Sequence, residues 1–114
     1  MRLHVAVALA HLGDDGGDAA LVAALTDDDV ELACLAAEWL GALGRTAAVE
    51  PLIMVLETES AELRAASATA LGELGDPGAL APLERLADDP SELPAGRTVG
   101  AVATAAARQI RERG

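Results

Sequence analysis

Few side chains in this sequence are of the types that catalysis or metal binding requires. There are two histidines, one cysteine and one tryptophan, with neither tyrosine nor phenylalanine. His4 and His11 are seven residues apart, which places them on roughly one face of a helix. A metal ion needs further ligands at fixed distances, and none accompanies this pair in sequence. Cys34 is the one thiol, and Glu31 and Glu38, three and four residues away, disfavour its thiolate, so it reads as inert. A single cysteine also allows no internal disulfide, so the fold needs no oxidising compartment. Carboxylates are plentiful, but they recur in loops as Asp27-Asp28-Asp29, Glu57-Thr58-Glu59-Ser60 and Asp88-Asp89. No catalytic carboxylate pair, nucleophile–base set or phosphate loop stands out, so the expectation is a chain without catalysis, cofactor or metal.

The elements that position these residues follow from composition and periodicity. A length of 114 residues bounds the chain to one domain, and 52% hydrophobic with 1% aromatic content leaves Ala and Leu to supply the core. That mixture favours closely packed helices over strands. Leu12-Gly13, Leu43-Gly44 and Leu74-Gly75 recur at intervals of 31 residues. Leu9, Leu40 and Leu71 keep the same register, as do Leu21, Leu52 and Leu83. Such an internal period marks a stack of units, each a helix, a turn at glycine, a second helix and an acidic loop. The units are expected at about 1–29, 30–60 and 61–91, with a linker and one capping helix over 92–114.

The third unit carries the local logic. Leu63, Ala66, Ala70, Leu71 and Leu74 form an apolar stripe at helical spacing, with Ser60 as N-cap and Glu62 in the first turn. Gly75 is suited to a left-handed helix end, Asp76 to capping the next helix and Pro77 to its first position. Leu80, Leu83 and Leu86 give the second stripe, which Asp88, Asp89 and Pro90 end. Ala66, Ser67 and Ala70 are small enough for close helix approach. In the last segment Val99, Val102, Ala103, Ala106 and Ile110 form the apolar face of a helix with no hairpin partner.

The stretch Glu62-Leu63-Arg64-Ala65-Ala66-Ser67-Ala68-Thr69-Ala70-Leu71-Gly72-Glu73-Leu74-Gly75-Asp76-Pro77 resembles the signature of HEAT-like repeats. It is most similar to the short bacterial and archaeal kind first noted in phycobilisome lyases. The first unit departs from the pattern with Asp14-Asp15-Gly16-Gly17 at its turn, and the second with Arg45-Thr46. The resemblance implies an all-α, right-handed α–α superhelix and a protein–protein interaction scaffold or adaptor. The alternative it implies is a subunit of a bilin-lyase-like chaperone or enzyme, in which Cys34 could carry a bilin. HEAT-repeat hydroxylases carry His-Glu dipeptides, whereas here Val5 follows His4 and Leu12 follows His11. A third reading, nucleic-acid base processing, would need a basic concave face.

Candidate binding residues lie at three places. In proteins that resemble this one, second helices line the concave face. There Val22, Ile53 and Glu84 occupy one row and Ala23, Met54 and Arg85 the next, followed by Thr26, Glu57 and Asp88. Met54 is the favoured apolar spot, rimmed by Glu50, Glu57 and Arg85. The first helix is apolar at Leu3 and Val7, where its sister helices carry Cys34 and Ala65, and Glu38 and Thr69. With Val5 it is expected to bury against a second copy or another protein, or against a preceding repeat removed by truncation. Trp39, in register with Ala8 and Ala70, is expected to fill space between adjacent first helices. If half exposed, it becomes an interface anchor.

Charge excludes some partners. The net charge is −11, and all eight bases are Arg. Coding bias toward G+C and adaptation to high salt both account for this mix. Non-specific nucleic-acid binding is not expected, because phosphate neutralisation needs cations. The recurring loop acids would align as a ridge that serves as helix caps and could steer basic partners. Residues 1–92 hold 18 acids and four Arg, whereas residues 93–114 hold Glu112 and four Arg. Arg108, Arg111 and Arg113 suit the negative end of their helix, or attract a second copy or an anionic partner. No apolar stretch is long enough to span a bilayer and no signal peptide is visible, so a soluble cytoplasmic protein is expected.

Overall fold

The computed structural model describes residues 21–44 and 46–113. These residues are helical throughout apart from turns, the linker and one isolated bridge between Glu92 and Thr98. Following a helical segment at residues 21–24, the helices are α1 (Val30–Ala42), α2 (Val49–Val55), α3 (Ala61–Leu74), α4 (Leu80–Arg85) and α5 (Val99–Arg113). Short 3₁₀ turns at Thr46–Ala48 and Pro77–Ala79 lead into α2 and α4, and a third lies at Pro94–Gly96.

The helix ends follow the local chemistry. Asp29 caps α1 by accepting from the Glu31 and Leu32 amides, and Ser60 caps α3 by accepting from the Leu63 amide at 3.2 Å. Gly44 and Gly75 turn the chain after α1 and α3 with φ of 71° and 76°, a region other residues enter only with strain. Asp76 accepts from the Gly78 amide, which sets the Pro77–Ala79 turn.

The first helices form one layer, α1 beside α3 and α3 beside α5. The second helices are short, and each packs mainly against the first helix of the following unit, α2 on α3 and α4 on α5. Leu32, Leu40, Leu52, Leu71 and Leu83 lie fully buried in one contiguous core. Each contributes about 2 kcal/mol by leaving water. The buried face of α3 is broader than the expected stripe. Ser67, Ala68 and Gly72 are buried, while Ala66 and Leu74 are only half-buried.

The closest helix contacts differ from those expected at Ala66 and Ser67. A Cβ placed on Gly41 would lie 2.8 Å from Ala70 Cα and 2.6 Å from Glu73 Oε1. A Cβ on Gly72, 31 residues later, would lie 3.0 Å from Ala106 Cα and 2.9 Å from Gln109 Oε1. Glycine on one helix and alanine on the next therefore set both crossings. Ala106 and Gln109 stand 36 residues beyond Ala70 and Glu73, so α5 repeats the α3 packing after five inserted residues. The last helix is thus more than a lid: it takes the place of a first helix in a further unit. Its buried Val99, Ala103, Ala106 and Ala107 match Leu63, Ser67, Ala70 and Leu71 of α3.

The insertion is tightly held. The Val99 amide donates to the Ser91 carbonyl and the Gly100 amide to the Asp89 carbonyl, both at 3.0 Å, satisfying the start of α5. Gly100 packs so closely there that a Cβ would collide with the Ala87 carbonyl oxygen. Among the described residues, no helix is long and apolar enough to cross a membrane.

Candidate protein-binding groove

A groove among the described residues lies on the first-helix side, whereas the candidates Met54, Glu50, Glu57 and Arg85 lie along the second helices. The 31-residue register generates two of its walls. Glu31, Cys34, Leu35, Glu38 and Ala42 project from α1, and the aligned Glu62, Ala65, Ala66, Thr69 and Glu73 project from α3. These positions recur at three- and four-residue intervals, so they share one outward face of each helix. The inserted linker supplies a third wall through Leu93, Pro94 and Arg97.

Arg64 fixes that third wall. Its guanidinium donates to Asp89 Oδ2 at 3.0 Å, to Ser91 Oγ at 2.8 Å and to the Thr58 carbonyl at 2.7 Å. One side chain thus ties the start of α3 to the loop before it and to the linker. The Arg64 and Asp89 side chains are only 14% and 15% exposed. Within the linker the Leu93 amide donates to the Arg97 carbonyl at 2.7 Å, and Leu93 packs against the core. Asp89 accepts from the Ser91 amide and side chain and faces Arg64, which together hold its carboxyl below the usual range. It is therefore a structural acid and not part of a free acidic ridge. Asp27 and Asp29 also serve local amides, whereas Asp28, Glu57, Glu59 and Asp88 are exposed.

Groove chemistry combines an apolar floor with acidic edges. Val30 and Leu35, at 39% and 37% exposed, are the large aliphatic residues that this groove leaves open. Cys34, Ala65, Ala66 and Thr69 leave a low floor between the walls. Four carboxylates, of Glu31, Glu38, Glu62 and Glu73, and one guanidinium, of Arg97, line the groove. Burial, then Glu62, then Glu38 push the Cys34 thiol up to about 11. The contributing acid from across the groove is Glu62, not the sequence neighbour Glu31. The thiol stays protonated near neutral pH and is a poor nucleophile.

The remaining sequence candidates fall elsewhere. Met54 is 75% exposed on α2, with Ile53 half-buried beside it. Glu50, Glu57 and Arg85 are exposed on the same second-helix side, but α2 and α4 make their principal contacts with the first helices. Trp39 is half-buried and packs against the core. Arg111 pairs with Glu84, and the Arg113 side chain covers Gly75, so both tie α5 to the preceding unit. Leu3, Val7, His4 and His11 lie outside the described residues. No group of three or more His, Cys, Asp or Glu side chains among the described residues could hold a metal ion.

Sequence reasoning missed the groove because two of its walls come from residues 31 positions apart and the third from the insertion. Leu35, a large aliphatic residue between Glu31 and Glu38 on the outward face of α1, was the available signal. Comparison with curated proteins finds no match. The family described as HEAT repeats matches residues 18–103, which span the described stack through most of the first half of α5. With its first-helix layer, glycine turns and second helices wedged against the next unit, this chain belongs to the HEAT-repeat family.

Proposed function

We propose that this chain is a non-catalytic protein-interaction scaffold whose docking face is the groove between α1, α3 and the linker. HEAT repeats generally act as such scaffolds. One observation carries the choice of face: of the three large apolar side chains exposed among the described residues, Val30 and Leu35 stand together in this groove. Exposed apolar surface rimmed by polar groups is a common mark of an interaction site. Met54 stands alone on the opposite, second-helix side.

The bilin-lyase-like role rests on the resemblance, and the protonated Cys34 thiol argues against that residue as a bilin attachment point. The scaffold reading is tested by affinity capture from the source cells with the wild-type chain, Leu35→Arg and Met54→Arg. Carboxylate-directed cross-linking then locates the contact. Loss of capture with Leu35→Arg alone, and cross-links through Glu38, Glu62 or Glu73, is the expected result. Capture unaffected by Leu35→Arg, or cross-links confined to Glu50 and Glu57, overturns it.

A further inference from the structure

We infer that the occupant of the groove is a cationic amphipathic helix from another protein, a reading that rests on the groove being the docking face. Three features of the walls specify it. The first is charge: Glu31, Glu38, Glu62 and Glu73 outnumber Arg97, so a partner that supplies cations is attracted and an acidic one repelled. The second is shape. Small Cys34, Ala65 and Ala66 leave room for bulky side chains, and the exposed Val30 and Leu35 gain burial against them.

The third feature is backbone satisfaction. Both long walls are helix flanks whose N–H and C=O groups are spent within α1 and α3. An extended segment would find no strand edge on these walls and so would gain no main-chain hydrogen bonds from them. A helix satisfies its own and can seat its side-chain ridge between those of α1 and α3. Spacing follows from helix rise: Glu31 and Glu38 are about 10 Å apart along α1, and Glu62 and Glu73 about 16 Å apart along α3. A matching helix carries cations seven and eleven residues apart on one face, with large apolar side chains at three- and four-residue steps between them.

The test is fluorescence anisotropy with a labelled synthetic helix of about 18 residues built to that pattern. Two controls accompany it, one with Glu replacing each cation and one with the apolar positions shuffled at constant composition. The patterned peptide is expected to bind at least about tenfold more tightly than either control, and to weaken as salt rises. Leu35→Arg, and separately the exposed pair Glu38→Lys with Glu73→Lys, should each weaken binding by about tenfold or more, while Met54→Arg leaves it unchanged. Equal binding of the acidic or shuffled peptide overturns the inferred occupant. So does the absence of patterned-peptide binding at concentrations up to about 1 mM. So does sedimentation showing a dimer that Leu35→Arg dissociates, since the occupant is then a second copy. In each of these cases a Leu35→Arg-sensitive capture leaves the groove itself standing. Peptide binding that survives Leu35→Arg but fails with Met54→Arg overturns the groove as well.

Discussion

Replacing Ser67 with alanine should make this protein more stable, a sign opposite to that of most core substitutions. Ser67 lies on the buried face of α3 and is fully excluded from solvent. Its Oγ has no hydrogen-bond partner among the described residues. The matching positions are Ala36 in α1 and Ala103 in α5, so the site already accepts alanine in its sister helices. An unsatisfied buried hydroxyl costs about 1–3 kcal/mol. Serine in a helix interior costs roughly a further 0.5 kcal/mol relative to alanine. Against these stands the small void left by one oxygen atom, roughly 0.3 kcal/mol. The net gain is therefore about 1–3 kcal/mol. It should raise the melting temperature by roughly 4 °C for each kcal/mol. In urea the midpoint should rise with an unchanged slope, because the surface exposed on unfolding is the same. The reverse changes, Ala36→Ser and Ala103→Ser, should lower it by a similar amount. An unchanged or lower midpoint for Ser67→Ala refutes the reasoning. It would mean that the hydroxyl is satisfied, as by the carbonyl one turn back, that of Leu63, so that its burial carries no penalty.

Three further outcomes follow from the packing and electrostatics. Gly100→Ala should destabilise by about 2 kcal/mol, since its Cβ would meet the Ala87 and Asp89 carbonyl oxygens and push α5 off the linker; thermal denaturation reads this directly. Asp89 has a folded-state pKa below its unfolded value, so its contribution is present above the unfolded pKa and disappears as pH falls through the folded one. Acid titration of Asp89→Asn should accordingly show lower stability than wild type at neutral pH and a smaller loss on acidification; identical curves would contradict the Arg64 clamp. Cys34, with its thiol pushed up to about 11, should react with a disulfide reagent at pH 8 at a rate roughly two orders of magnitude below that of a free cysteine, rising until strongly alkaline pH. Glu62→Gln should accelerate that reaction, and a wild-type rate equal to that of free cysteine would show that the thiol is neither buried nor faced by carboxylates.

Much of the architecture was legible in the residues because it is local. The Leu-Gly pairs at a 31-residue interval set the units, since a helix that ends in a left-handed turn needs glycine there. Ser60 and Asp76 act as caps in the way their types and positions imply. The apolar face of α5 was also correct, because spacing alone decides which positions share a helix face. The groove was not legible in the same way. Met54 is favoured as an adaptable apolar side chain on a second helix, and that argument speaks to exposure without locating a groove. Glu62 was missed as a neighbour of Cys34 because it acts across the groove from another helix.

The sequence by itself determined that this is a stack of helical hairpins with a 31-residue period, acidic over most of its length. Capping, turn formation and helical periodicity act over a few residues, and they repeat when the residues repeat. Only the tertiary structure decided that the five-residue insertion folds back as a wall clamped by Arg64, and that α5 thereby joins the first-helix layer. It also decided that Val30 and Leu35 face a groove while Met54 stands apart from it. These outcomes depend on how close one helix lies to the next. That distance is set by Gly41 against Ala70 and Gly72 against Ala106, contacts between residues about thirty positions apart that no local pattern specifies.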